Sequence, residues 1–246
     1  MKNVRLVLAY DGTDFCGFQR QKEVRTVQAV VEEALSRLLR RKTRIIAAGR
    51  TDAGVHAEGQ VVNFLTDGRL APRGIAFQLA PYLPEDVQAL FSEAVPLSFH
   101  ARFSAHNKTY RYELATTQRF YPTQRHYHGH CTYPLDIERM RAALPLFLGE
   151  HDFSAFSRQD PLRSPRRLLK AAQMEAYNSE LRFRFTAESF LQRQVRCLVG
   201  ALIEVGRGRL LKKEIEALLV QGATSPAVPV APACGLYLES VTYPEP

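Results

Sequence analysis

Hydrophobic and polar residues alternate in some segments of the chain and recur at three- and four-residue intervals in others. Alternation over 4–10 predicts a first strand, which ends at the turn signal Asp11-Gly12. Helical spacing over 26–39 predicts a helix with Thr26 as its N-cap. Further strands are predicted near 43–49, 59–66 and 87–95, and a shorter helix near 72–82.

The second half of the chain repeats this order loosely. The pattern predicts strands over 108–115, 167–177, 180–187 and 235–242, with helices over 136–148, 190–205 and 212–220. Long loops are predicted over 119–130 and 157–166, and a joint near 97–107. Two β-α-β-β-α-β halves, residues 1–104 and 105–246, indicate a duplicated ferredoxin-like plan, although their sequences show no matching repeat.

Composition is that of a globular protein with a sizeable core. The 246 residues are 46% hydrophobic and 24% charged. Apolar runs stay shorter than the ~18–20 residues of a membrane span, and the N-terminus lacks the features of a signal peptide. We therefore expect a cytoplasmic protein.

The charge balance is strongly basic, with a net charge of +8 and 26 arginines among 33 basic residues. Arginine pairs with phosphate in a planar fork and stacks on bases, so a polyanionic partner such as nucleic acid is favoured. A solvated basic surface is the alternative. The four cysteines are scattered without Cys-x-x-Cys spacing, which argues against a zinc knuckle and predicts reduced thiols.

One short segment, residues 47–56, combines an arginine, a carboxylate and two glycines between two predicted strands. Gly49 and Gly54 permit positive φ and close approach of a ligand around Asp52. An ordinary turn is the simpler interpretation, because Asp and Gly are common turn residues. A loop that carries a catalytic carboxylate is the alternative.

The longer string Gly49-Arg50-Thr51-Asp52-Ala53-Gly54-Val55-His56, followed by Gly59-Gln60-Val61-Val62, resembles the catalytic motif of the TruA family of tRNA pseudouridine synthases. Further segments resemble the family's motifs in order along the chain. They are 10–21, 26–28, 99–105, 108–112, 148–153, 190–196, 198–200, 205–206 and 235–238.

The resemblance implies an α+β pseudouridine synthase fold, in which two ferredoxin-like halves share a mixed, mainly antiparallel sheet with a central active-site cleft. It implies an isomerase that converts uridine to pseudouridine at positions 38, 39 and 40 of the tRNA anticodon stem-loop. It also implies a homodimer, with tRNA as partner and with neither cofactor nor metal.

The resemblance also assigns site residues. Asp52 is the catalytic carboxylate, acting at ribose C1′ or at uracil C6; the sequence does not choose between them. Arg196 pairs with that carboxylate, and Tyr110 stacks on the target base. Arg50 helps to displace the flipped base. Taken alone, Arg196 would indicate a helix-surface salt bridge, Tyr110 core packing and Arg50 a local ion pair.

Other features are weaker. His126, His128 and His130 alternate and would share one face if extended, as metal ligands, as phosphate contacts or as simple surface. Lys212, Lys213 and the arginines of 163–167 are candidate phosphate contacts. The sequence departs from the family pattern at Gln194 and Cys197, neither of which is assigned a catalytic role.

Rival functions remain open at this point. A non-catalytic RNA-binding protein on the same scaffold would have no need of Asp52, Tyr110 and Arg196 together. A glycosidic-bond hydrolase would release free base. A pseudouridine synthase acting on another RNA is the third alternative.

Overall fold

The computed structural model describes residues 1–158, 164–221 and 228–244. Over these residues the chain forms five α-helices and ten strands. In chain order they are β1 (Lys2–Tyr10), α1 (Val27–Leu39), β2 (Ile46–Ala47), β3 (His56–Thr66), α2 (Ile75–Leu79), β4 (Val87–Val95), β5 (Asn107–Ala115), β6 (Gly129–His130), α3 (Ile137–Ala143), β7 (Gly149–Asp152), β8 (Arg166–Tyr177), β9 (Glu180–Ala187), α4 (Gln194–Gly206), α5 (Lys212–Gln221) and β10 (Leu236–Thr242).

The chain divides into two compact units. The first comprises Met1–His106 with Tyr237–Pro246, and the second comprises Asn107–Leu236. Each contains both helices and strands, mostly antiparallel with one parallel pairing, which confirms the predicted α+β class with mixed strand directions. Among the described helices, none has the length and apolar character needed to cross a bilayer.

In the first unit the strand order is β4-β1-β3-β10, and β2 also pairs with β3. Strand β1 is antiparallel to both neighbours, whereas β10 is parallel to β3. The alternation in β1 buries Val4, Leu6 and Leu8 completely. Val4 lies opposite Phe64 and Leu6 opposite Val62, so both strands contribute to one apolar face, which is completed by α1 and α2.

Helix α1 begins at the predicted N-cap, where the Thr26 hydroxyl accepts a hydrogen bond from the Ala29 amide. The strand predicted near 43–49 is only two residues long, β2. The amide of Thr43 donates to the Ser36 hydroxyl and that of Ile45 to the Glu32 carboxylate, so neither joins the strand ladder. Side chains of α1 thus replace the expected strand partners.

In the second unit the order is β5-β9-β8-β7, and β6 runs parallel to β5. Tyr112 faces Phe183, and Leu114 faces Leu181, across β5 and β9. All four are buried, together with the apolar side of α4. Strands β8 and β9 have nearly the predicted bounds, whereas β6 and β7 were not predicted because each is four residues or shorter.

Helix α4 starts four residues later than predicted. Arg193 has a left-handed backbone, with φ of 65°, so the helix cannot extend back through it. The side-chain oxygen of buried Gln194 accepts the Leu191 amide at 2.8 Å and fixes the turn before the helix. Gln194 therefore has a structural role at the start of the helix. Helix 136–148 is likewise shorter, since α3 passes into a 3-10 turn, Leu144–Phe147.

Candidate active site

Asp52 lies on a loop of the first unit between β2 and β3, which we define as residues 49–55 and call the Asp52 loop. Asp52 is half-buried, and its backbone carbonyl accepts the Val55 amide at 3.2 Å. Gly54 has φ of 75°, the left-handed conformation expected of this glycine. The carboxylate therefore stands on a tight turn rather than on a flexible connection.

Residues 12–18 pack against this turn and form hydrogen bonds with it. The Phe18 amide donates to the Thr51 carbonyl at 3.0 Å, and the Gly54 amide donates to the Phe15 carbonyl at 3.4 Å. Gly17 has φ of 86°, and a Cβ there would lie only 3.0 Å from the Thr51 carbonyl oxygen. The segments 10–21 and 49–56, which both resemble family motifs, thus pack together around Asp52.

Buried polar side chains hold the backbone that precedes Asp52. The Tyr10 hydroxyl and the Thr51 hydroxyl share a hydrogen bond of 2.8 Å, and Gln60 Nε2 donates to the Gly49 carbonyl at 3.0 Å. All three side chains are buried. Burial raises the pKa of Tyr10 to about 12, so its phenol stays protonated at neutral pH.

The turn at Asp11-Gly12, here called the Gly12 turn, packs against the C-terminal end of the Asp52 loop. The Gly12 amide donates to His56 Nδ1 at 3.0 Å, and a Cβ at Gly12 would lie 2.1 Å from the Val55 carbonyl oxygen. The buried imidazole stacks on Tyr237 of β10, with ring centroids 4.7 Å apart. Because of the close approach to Val55, only glycine fits at position 12.

Arg50 belongs to the same loop, and its side chain is exposed. Arg50 lies two residues before Asp52 along this loop. The first unit thus carries two of the four predicted site residues on one loop.

Tyr110 and Arg196 both belong to the second unit. Tyr110 lies near the start of β5, and its ring meets Phe190 edge-on, with centroids 5.2 Å apart. Tyr110 is buried, with 8% of its surface accessible, so the ring is held by its surroundings.

Arg196 lies in the first turn of α4. Its Nε donates to the Ala231 carbonyl at 2.7 Å, and its own backbone carbonyl accepts the Ala231 amide at 3.1 Å. A Cβ at Gly200 would lie 1.8 Å from the Pro229 carbonyl oxygen, so the segment 229–231 is seated against α4. These contacts fix the direction of the guanidinium.

The three alternating histidines do not share an extended face. Residues 125–127 form a turn, His128 lies 3.8 Å from Glu180, and the His130 ring stacks on Phe120. Among the described residues, no three His, Cys, Asp or Glu side chains are grouped as metal ligands. Of the predicted basic contacts, Arg163 lies outside the described residues.

Comparisons with known proteins agree with these motifs. The family model described as tRNA pseudouridine synthase matches residues 6–104 and 143–244. The chain is 38% identical to tRNA pseudouridine synthase A of Acetivibrio thermocellus over 99% of its length and 100% of that protein. It is 40% identical to tRNA pseudouridine synthase A of Geobacillus kaustophilus, covering 98% of this chain and 95% of that one.

These matches define the class: the chain is a tRNA pseudouridine synthase, an isomerase. More narrowly, it belongs to the tRNA pseudouridine synthase A, or TruA, family. Among solved structures it is similar to an archaeal box H/ACA sRNP Nop10-Cbf5 complex, with a TM-score of 0.39 and 15% identity over 81% of this chain and 43% of that chain. That likeness is too distant to bear on function.

Proposed function

We propose that this enzyme converts uridine to pseudouridine at positions 38, 39 and 40 of the tRNA anticodon stem-loop, with Asp52 as the catalytic carboxylate. The observation that carries the proposal is the construction of the Asp52 loop. Three backbone contacts and a buried hydroxyl pair hold the residues on either side of one half-buried carboxylate. Such preorganisation is what a reacting group requires and an ordinary turn does not.

The reaction is an exchange of bonds within one nucleotide. The N1–C1′ bond of uridine breaks, the uracil turns, and a C5–C1′ bond forms. The hydrogen on C5 is then lost as a proton, and N1 takes up a proton, so that atoms and charge balance. A carboxylate suits these reaction steps in either of two ways. It can act as a nucleophile at the anomeric carbon or at C6, or it can stabilise a cationic sugar. Asp52 serves in one of these ways.

The other three residues complete the site in this proposal. Tyr110 stacks on the uracil that has left its helix, because base–aromatic stacking compensates for lost base stacking. Arg196, whose Nε is held by the Ala231 carbonyl, has the role that the resemblance assigns to it, as partner of the catalytic carboxylate. Exposed Arg50 occupies the space that the displaced base leaves.

The proposal extends to the working state of the enzyme. It acts in the cytoplasm as a homodimer, without a metal or cofactor. The halves that the sequence pattern predicts are 1–104, with the Asp52 loop, and 105–246, with Tyr110 and Arg196, whereas the compact units assign Tyr237–Pro246 to the first.

The test uses unmodified tRNA transcripts that retain a single uridine at position 38, 39 or 40. Wild-type enzyme should form pseudouridine at each retained position and release no free uracil. Released uracil would support the hydrolase, and tight binding without any product would support the non-catalytic binder. Pseudouridine confined to other positions would contradict the proposed substrate.

A further inference from the structure

We propose that Phe103 is a stacking platform for an unpaired nucleobase of the tRNA substrate. The inference rests on the proposed function, because it assumes that the enzyme binds tRNA. It concerns the turn His100–Ser104 of the first unit, here called the Phe103 turn. The catalytic residues described above do not belong to this turn.

Phe103 is an aromatic side chain held out in solvent. It is 76% exposed, in contrast to the buried phenylalanines of both cores. Its ring centroid lies 4.3 Å from that of His100, and the Arg102 guanidinium carbon is 5.4 Å from the centre of the ring. An imidazole and a cation therefore lie against one aromatic ring at the surface. Exposing a phenylalanine has a cost in water unless a ligand covers it.

The Phe103 turn is locked by side chains of its own sequence. His100 Nδ1 accepts the backbone amides of Arg102 and Phe103, both at 3.2 Å. The Ser104 hydroxyl accepts the His100 amide at 3.1 Å, while the Ser104 amide donates to the His100 carbonyl at 2.9 Å. The backbone that carries Phe103 is thus ordered before any ligand arrives, which reduces the entropy lost on binding.

The same turn is anchored to the sheet of the first unit. Fully buried Ala101 donates its amide to Asn63 Oδ1 at 2.9 Å and accepts the Tyr243 hydroxyl at 2.7 Å. Ala101 forms a buried cluster with Ala48 and Val61. Ala48 lies four residues before Asp52, so the platform and the Asp52 loop are built on the same patch of sheet.

The chemistry favours a nucleobase over an apolar protein partner. Arg102 on the turn is exposed, and its guanidinium lies beside the phenylalanine ring, so a cation adjoins the exposed aromatic surface. Aromatic rings beside arginines are what single-stranded RNA requires, since bases stack on the ring while the cations attract phosphates. An RNA bound over the Asp52 loop supplies both.

The test compares binding of an unmodified tRNA transcript by Phe103→Leu, Phe103→Tyr and a matched control, Phe77→Leu. Phe77 is another exposed phenylalanine of the first unit, 86% accessible on α2. Phe103→Leu should weaken binding at least about fivefold, the lower limit for loss of one base–aromatic stack, with the salt dependence unchanged. Phe103→Tyr should bind as the wild type does, and so should Phe77→Leu.

Wild-type binding by Phe103→Leu, or equal losses in Phe103→Leu and Phe77→Leu, would overturn the platform. Pseudouridine formation by the wild-type enzyme is measured on the same transcript. This measurement separates a failure of the platform from a failure of the proposed function. An active wild-type enzyme with an indifferent Phe103→Leu contradicts the platform alone. An inactive wild-type enzyme contradicts the proposed function, whatever Phe103 does.

Discussion

At the scale of single residues, the loop that carries Asp52 depends on buried neighbours. The backbone of Asp52 is adjacent to Thr51, whose hydroxyl is bonded to the Tyr10 phenol in a fully buried site. Gln60 reaches the carbonyl of Gly49 at the start of the same loop. These contacts hold the backbone on the N-terminal side of Asp52, so we expect Tyr10, Thr51 and Gln60 to act as positioning residues.

Tyr10→Phe should lower kcat about 10- to 100-fold with little change in tRNA affinity, because a small misplacement of a reacting group costs that much in rate. Loss of one buried hydrogen bond should also cost about 1 kcal/mol of unfolding free energy. Steady-state kinetics and tRNA binding measure the two effects. Tyr177→Phe, an exposed tyrosine of the second unit, is the control. An unchanged kcat for Tyr10→Phe would show that the phenol does not position Asp52.

The sequence predicts candidate site residues, and their roles stay predictions, but it does not reveal the residues that hold the Asp52 loop. Asp52 and Arg50 could be named from a local string of letters. The contact of Tyr10 with Thr51 joins residues 41 positions apart, and it depends on how β1 is aligned with β3. No local pattern carries such information.

At the scale of elements, alternation and helical spacing predicted most strands and helices, and failures occurred where side chains satisfy the backbone. β2 is short because the side chains of Ser36 and Glu32 accept the amides of Thr43 and Ile45, which precede it. Helix α4 starts late because the backbone of Arg193 is left-handed. Both effects lie outside what hydrophobic periodicity describes. The Gly12 turn belongs to the same class, since the chain passes within van der Waals contact of Val55 there.

Gly12→Ala should therefore disturb both the fold and the site. The new Cβ would lie 2.1 Å from the Val55 carbonyl oxygen, so the backbone of the Asp52 loop must move. We expect a loss of about 2 kcal/mol or more in unfolding free energy and a fall in kcat. Gly74→Ala is the matched control, because its Cβ would meet only the end of the flexible Gln78 side chain, at 3.2 Å. Equal melting temperatures for the two variants would contradict the packing described here.

At the scale of the whole molecule, the dominant property is charge. The net charge of +8 resides mostly in arginine, and the described structure leaves Arg50 and Arg102 of the first unit exposed. Composition predicted a polyanionic partner, and family membership makes that partner tRNA. Which cations touch phosphate could not be predicted, because composition does not say which of 33 basic residues share a surface.

Binding of tRNA should weaken steeply as salt is raised. Each phosphate neutralised by a cation releases counterions, and about six to ten such contacts cost roughly 10³- to 10⁵-fold in affinity between 50 and 200 mM salt. Titration of labelled transcript at several salt concentrations gives the slope. An affinity that stays flat over this range would mean that the basic surplus does not contact the RNA.

The most direct measurement of the central claim is pseudouridine formation on an unmodified tRNA transcript by wild type, Asp52→Asn and Asp67→Asn. Asp67 lies just past the other end of β3 in an exposed ion pair with Arg41, so it controls for loss of a carboxylate. We predict wild-type rates for Asp67→Asn and a loss of at least about 10³-fold for Asp52→Asn, with tRNA binding retained. Product formed by Asp52→Asn at the wild-type rate would contradict the account.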